Sequence, residues 1–302
     1  YEAGSAVGIN YTYLSNGVWS TPTTIDVLAR NNPKLVIDSN DKMHVVSVQR
    51  LVSNGVGNYT TNVGGSWVSE SFYTGANQKL PRSVDIALNS SGNVTIAFIL
   101  QHGSNSPPYS LTVYEKNGST WDSEQVDYSQ SISTYKVELQ IDSYDVKHLY
   151  YYKGGPQILN DASGTWSSNL YTLTTGGLGD MKIEANGTMH VVYKEGTSLT
   201  ITFQYSTNIT GSWITKEIAN MTGSTVLPTY NALELDSQGN LHYFFRNNSW
   251  SQNGTLYHLV ENGVSTVGGG SSGSSGIYNG NGTTWMVADI NSGGVENIQD
   301  TI

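Results

Sequence analysis

Cysteine is absent from all 302 residues, which excludes disulfides and any zinc site built on thiolates. Charge is scarce: charged residues make up 13% of the chain, about half of the roughly 25% usual in soluble domains. Only 14 Lys and Arg stand against 24 Asp and Glu, a net charge of −10. No basic footprint exists to neutralise phosphates, so nucleic acid is not an expected partner. No run approaches the 18 or so apolar residues that a membrane-spanning helix needs, so no span is expected. No segment keeps a 3.6-residue period long enough for a helix. The space is filled instead by Ser, Thr, 33 Gly, 20 Tyr and 7 Trp. That mixture starves helices of their favoured surface residues and suits strands joined by tight turns. It also carries too much aromatic area for a disordered chain.

The chain repeats itself. Five tryptophans follow glycine turns, in Asn16-Gly17-Val18-Trp19, Gly65-Ser66-Trp67, Gly118-Ser119-Thr120-Trp121, Gly164-Thr165-Trp166 and Gly211-Ser212-Trp213. A sixth copy, Asn262-Gly263-Val264, has lost its ring. The spacings are 48, 54, 45, 47 and 51 residues. Between them a second pattern recurs: a short alternating run, an Asn/Asp/Gly turn, then a more continuous β-branched and aromatic run. Examples are Val84–Leu88 leading past Ser91-Gly92-Asn93 to Thr95–Phe98, and Lys182–Ala185 leading past Asn186-Gly187 to His190–Tyr193. That is a hairpin signature, here named strands A and B. A Tyr-rich run, the Gly-Trp turn and a polar alternating run supply strands C and D.

Four antiparallel strands repeated every 40–50 residues is the arithmetic of a β-propeller blade. Residues 1–302 are expected to form a single all-β propeller domain of six blades, with seven as the alternative. The A–B hairpin appears six times, the last at Gly276–Asp289. The first C–D pair, Val7 to about Val27, has no hairpin before it. This offset predicts closure by N-terminal strands that complete the C-terminal blade and so remove two sheet edges. Residues 295–302 are left over, as an extra strand, a tail or the start of a further segment. The Gly268–Gly276 run is read as a long interblade loop.

These residues resemble the propeller repeats of secreted and surface proteins of bacteria and archaea, related in pattern to the BNR/sialidase-like superfamily. Blades there read apolar–x–Asp-Ser-x-Gly-x-x-His–apolar, then a Tyr-rich strand, then Gly-x-Trp. His44, His148, His190 and His242 and the five Gly-Trp turns carry the likeness over essentially the whole chain. It implies the fold and says little of function, because propellers host many unrelated activities. Sialidases also resemble one another in Asp boxes of the form Ser-x-Asp-x-Gly-x-Thr-Trp, three carboxylate-gripping arginines and a Tyr–Glu pair. No such box occurs; Gly164-Thr165-Trp166 keeps only its tail, with Asp161 misplaced. No motif surrounds the four arginines, Arg30, Arg50, Arg82 and Arg246.

No nucleophile elbow, P-loop, dinucleotide fingerprint or His-Glu-x-x-His is present, and no catalytic or metal residue is assigned. The repeated His are read as partners of neighbouring turns, and the repeated Trp as blade-to-blade packing. Trp250 lies off the repeat in a B–C loop and is the candidate ligand contact. No cofactor is expected; calcium is the one ion weighed, since Asp38–Asp41 and Asp236–Asn240 are acidic turns, but they lack the 1-3-5 acidic spacing. Eleven Asn-x-Ser/Thr acceptors occur, at Asn10, Asn58, Asn89, Asn93, Asn117, Asn186, Asn208, Asn220, Asn247, Asn253 and Asn281, against about six by chance. Nearly all fall in predicted turns, and no Met opens the chain, which fits a removed signal peptide or a fragment. The expectation is an extracellular, glycosylated, non-enzymatic propeller that self-associates or joins other surface proteins in a layer, sheath or filament. The alternatives are a lectin-like module that takes glycans as partners, and a sialidase-like glycosidase.

Overall fold

A computed structural model describes residues 2–3, 7–26, 31–50, 55–75, 79–103, 108–172, 179–196, 200–222, 231–236, 240–246, 256–261, 276–278 and 284–289. Every regular element among them is a β-strand, and all pairings are antiparallel. The chain divides into two compact units, Tyr1–Leu173 and Thr174–Ile302.

The first unit opens with β1 (Glu2–Ala3), β2 (Val7–Tyr11), β3 (Leu14–Ser15), β4 (Val18–Trp19) and β5 (Thr23–Asp26). β1, β2 and β5 make a three-stranded sheet, and β3 and β4 a small hairpin beyond it. Three four-stranded sheets follow, each in chain order. They are β6 (Asn31–Ile37), β7 (Met43–Arg50), β8 (Gly55–Thr61) and β9 (Val68–Gly75); β10 (Lys79–Leu88), β11 (Val94–His102), β12 (Tyr109–Asn117) and β13 (Thr120–Ser129); and β14 (Ile132–Ile141), β15 (Lys147–Lys153), β16 (Pro156–Asn160) and β17 (Ser167–Thr172).

The second unit holds a fourth such sheet, β18 (Gly179–Ile183), β19 (Met189–Gly196), β20 (Thr200–Thr207) and β21 (Ile214–Thr222). Its last sheet has five strands: β22 (Asn231–Leu235), β23 (Leu241–Arg246), β24 (Leu256–Glu261), β25 (Gly276–Tyr278) and β26 (Thr284–Asp289).

Two features of the repeat have clear local causes. The A–B turn is closed by its first residue, whose side-chain oxygen collects the backbone N–H groups that follow. Asp38 takes those of Asn40 and Lys42, both at 2.8 Å, and Asn89 takes those of Ser91 and Asn93, at 3.1 and 2.8 Å. The glycine of each Gly-Trp turn has positive φ, from +60° at Gly118 to +86° at Gly65, a region that side chains other than hydrogen enter at a cost.

Within each unit, buried side chains fill the space between neighbouring sheets. Val46, Val48, Tyr59 and Phe72 of one sheet pack on Val84, Ile86, Ile96 and Phe98 of the next, and Phe72 meets Phe98 edge-on at 5.4 Å. Three of the repeated tryptophans, Trp67, Trp121 and Trp166, belong to this packing, whereas Trp19 is exposed. Trp121 lies 5.4 Å from Tyr59 and 5.7 Å from Phe72 and donates its indole N–H to Glu70 of the preceding sheet at 3.2 Å. Trp166 repeats the bond one sheet later, to Glu124 at 3.1 Å. Each acceptor lies three residues after the preceding sheet's own tryptophan.

The all-β, four-stranded, propeller-like reading stands, with two corrections. The Gly276–Asp289 hairpin does not begin its own sheet. β26 pairs with β24 and carries β25 outside it, in the order β22-β23-β24-β26-β25. The Gly268–Gly276 run lies, apart from Gly276, outside the described residues. The N-terminal pair β2–β5 takes its third strand from β1, so among the described residues the expected closing pairing with the last sheet is not formed. Residues 295–302 lie outside the described residues.

Candidate functional site

Counting back from the residue that closes each A–B turn aligns the first strands of the sheets. Four positions before the turn stand Lys34, Asp85, Glu138, Asp180 and Ala232. Asp85, Glu138 and Asp180 are buried, although strands this apolar normally exclude charge. Two of them bridge sheets: Asp85 Oδ2 accepts the backbone N–H of Leu139 at 2.7 Å, and Asp180 Oδ2 that of Leu233 at 2.9 Å. Ser83 Oγ similarly accepts the Val137 N–H at 3.0 Å.

In the first unit these positions converge. Lys34 on β6 reaches Asp85 on β10 at 3.7 Å and Glu138 on β14 at 3.4 Å, and Lys136 reaches Glu138 at 3.0 Å. Contact between β6 and β14, with β10 in between, requires that the first strands of three successive sheets face a common point. Lys34 thus lies within 4 Å of both carboxyls. Burial, then the neighbouring Glu138 charge, pushes Asp85 up to about 7, against the pull of Lys34. Burial acts on Glu138 in the same sense, but Lys136 and Lys34 hold it below the ordinary value. Of the two carboxyls, Asp85 is therefore the one that more readily holds a proton. The Asp85 and Glu138 side chains are 9% and 8% exposed while Lys34 is 37% exposed, so the cluster has a solvent-facing side. Such a pair can give a proton to, or take one from, a bound group.

A second feature lies between the β10–β13 and β14–β17 sheets. It is a cleft of about 570 Å³ lined by Val126, Asp127, Ser131, Tyr151, Lys153, Gly154, Gln157, Leu159 and Trp166. Asp127 accepts from Lys153 Nζ at 2.8 Å, from Tyr151 Oη at 2.7 Å and from the Tyr128 N–H at 2.7 Å. Burial alone would raise Asp127, yet these donors hold it below the usual carboxylate range. Burial and the Asp127 charge push the Tyr151 phenol up, so it stays a donor.

The repeated histidines each sit on the acid of their own turn. His148 Nε2 lies 3.0 Å from Asp142, His190 Nε2 lies 2.7 Å from Glu184, and His242 Nε2 lies 3.3 Å from Asp236. His44 Nε2 is 3.6 Å from Asp38. On the other side, the Nδ1 atoms of His44 and His190 bond the hydroxyls of Tyr59 and Tyr205 at 2.5 and 2.6 Å. Among the described residues no group of three or more His, Asp and Glu is placed to hold a metal ion.

The sequon asparagines divide by location. Asn93, Asn117 and Asn186 are exposed, Asn89 and Asn208 half-buried, and Asn10 half-buried in β2. The Asn208 side-chain oxygen accepts the Met189 N–H at 2.7 Å. Asn58 corrects the expectation of acceptors in turns: it is buried in β8, donates to Asp26 at 3.5 Å and accepts from Ser71 at 3.0 Å. Asn220 lies in β21, while Asn247, Asn253, Asn281 and Trp250 lie outside the described residues. Of the four arginines, Arg82 has a described side chain, which bonds the Gln101 amide oxygen.

Sequence reasoning missed Asp85 and Glu138 as a pair. The available signal was the recurrence of charge at one slot of an apolar strand.

No protein-family profile and no curated protein matches the chain. Solved structures do resemble it in fold. A Hadza microbial sialidase superposes with a TM-score of 0.54 at 10% identity, over 82% of this chain and 58% of that one. This chain thus spans less than two thirds of that sialidase. A protein of unknown function from Dyadobacter fermentans gives a TM-score of 0.52 at 12% identity, covering 80% of each chain. An ulvan lyase of polysaccharide lyase family PL25 gives 0.47 at 11% identity, over 81% of this chain and 72% of that one. The expectation of a non-enzymatic structural protein is corrected here. The fold is shared with a sialidase, and the chain carries a buried carboxyl pair where none was expected.

Proposed function

We propose that this protein acts on glycans, with the Asp85–Glu138 pair moving a proton at the glycosidic oxygen. The observation that carries the reading is the pair itself: two carboxyls, buried where three first strands converge, both within reach of Lys34 and one held by Lys136. Structural need alone is a poor account of it, because burying two like charges together costs stability unless a proton is retained. The pair therefore serves as one proton-holding unit, Asp85 as the acid and Glu138 as the group that sets its proton affinity. Lys34, at the open side, is placed to orient substrate hydroxyls. The kinship in fold with a sialidase supports the reading, and an excess of sequons fits a protein that meets its substrate outside the cell.

The test is activity on a panel of aryl glycosides and polysaccharides, scored both by reducing ends released and by unsaturated product at the ultraviolet wavelength of elimination. Asp85→Asn and Glu138→Gln are expected to lower turnover by about 10²- to 10⁴-fold while melting as cooperatively as the parent. A parent protein inert on the whole panel, or variants as active as the parent, would remove the proposal.

A further inference from the structure

The cleft between the β10–β13 and β14–β17 sheets has no part in that proton transfer, and its chemistry points to a ligand. Its volume of about 570 Å³ falls in the range of small-molecule sites, roughly 300–1,000 Å³. One wall is apolar, made by Val126, Leu159 and the Trp166 ring, whose N–H is already given to Glu124. The other wall is polar and its charges are matched. Lys153 and Asp127 form an ion pair at 2.8 Å, and Tyr151 supplies Asp127 with a further donor.

What faces a ligand is therefore neutral in sum and mixed in polarity. The Lys153 ammonium has N–H groups beyond its one bond to Asp127, and the Ser131 hydroxyl both donates and accepts. The Gln157 amide nitrogen is held by the Gly155 and Pro156 carbonyls at 3.3 and 3.0 Å, which leaves its carbonyl oxygen to accept. Gly154, at φ +67°, turns the chain beside Lys153, and a Cβ there would meet nothing within 4 Å, so the rim is open. An anion would have to compete with Asp127 for Lys153. A cation would have to displace Lys153 from Asp127. A neutral ring with adjacent hydroxyls and an apolar face does neither, since each hydroxyl donates and accepts and C–H groups lie on the indole.

We infer that this cleft is a binding site for a neutral hexopyranoside, with Trp166 as the platform and Lys153, Gln157 and Ser131 as the hydroxyl partners. The aromatic contact of this cleft is Trp166, which lies on the repeat. The inference stands apart from the acid–base reading, because the two sets of residues do not overlap.

The test uses the full chain and methyl glycosides of glucose, galactose and mannose, with glucuronate as the charged control. Saturation-transfer NMR and quenching of tryptophan fluorescence would report binding. At least one neutral glycoside is expected to bind in the millimolar range or tighter and to outcompete glucuronate. Gln157→Ala and Lys153→Met should each weaken it about tenfold, and Asp85→Asn should leave it unchanged. Absence of binding by all three glycosides, preference for glucuronate, or equal binding by both cleft variants would overturn the site. Loss of binding in Asp85→Asn alone would place the sugar at the carboxyl pair and overturn it equally. Failure of catalysis with binding intact would refute only the acid–base reading.

Discussion

Asp85 holds its proton more tightly in the folded chain than in the unfolded one, where an aspartate titrates near 3.8. The sign follows from linkage: a group whose folded pKa is raised contributes stability that is full below 3.8 and is lost as pH climbs toward 7. Asn at this position keeps the acceptor for the Leu139 N–H and cannot ionise. Asp85→Asn should therefore gain in melting temperature relative to the parent between pH 5 and pH 8, measured by differential scanning fluorimetry. A difference that stays constant with pH would show that Asp85 is ionised throughout. Glycosylation is a second test at this scale. Glycopeptide mass spectrometry of native material is expected to find sugar on exposed Asn93, Asn117 or Asn186, and none on Asn58, whose amide is spent inside the fold. Neither the carboxyl pair nor the buried Asn58 could be read from local pattern. An acid in an alternating strand looks like a solvent-facing residue, and a sequon is blind to the strand that contains it. Asp26, which takes the Asn58 amide, and Leu139, which Asp85 grips, lie 32 and 54 residues away in the chain.

The elements were more legible, because their signals are short-range. Gly-Trp turns, Asn/Asp turn closers and apolar periodicity of two each act within a few residues, and the four regular sheets follow them. The last hairpin shows where this fails. Gly276–Tyr278 and Thr284–Asp289 do form a hairpin, but a hairpin pattern does not say which sheet accepts it, and β24 does. The tryptophan bridge offers a sharper test of what joins sheets. Trp121→Phe keeps the ring on Tyr59 and Phe72 and loses the bond to Glu70, at an expected cost of about 1 kcal/mol. Trp121→Ala also loses the packing and should cost about 3 kcal/mol. Urea denaturation would check both, and equal losses would mean that the hydrogen bond, not the ring, is the joint. In the second unit, Asp180→Ala strands the buried Leu233 N–H and is expected to cost about 1–3 kcal/mol by the same measurement.

At the scale of the molecule, the shortage of charge has a physical consequence. With a pI near 4.9 and few ionic groups on its surfaces, the unglycosylated chain has little repulsion between copies near pH 5. Recombinant protein made without glycans should reach its solubility minimum there, seen as a turbidity maximum, and any native material that mass spectrometry finds to carry glycans should not. The joints between sheets have a different bearing. Asp85 grips a main-chain N–H 54 residues ahead, and Asp180 does the same 53 residues ahead. The receiving atom is backbone, present in every residue but proline, so the grip makes no demand on the side chains of the sheet it meets. A duplicated sheet brings its own hook and finds a catch on whatever sheet comes next. Growth by copying then needs no new interface to be invented, and chemistry can diverge in one sheet while its neighbours continue to hold it.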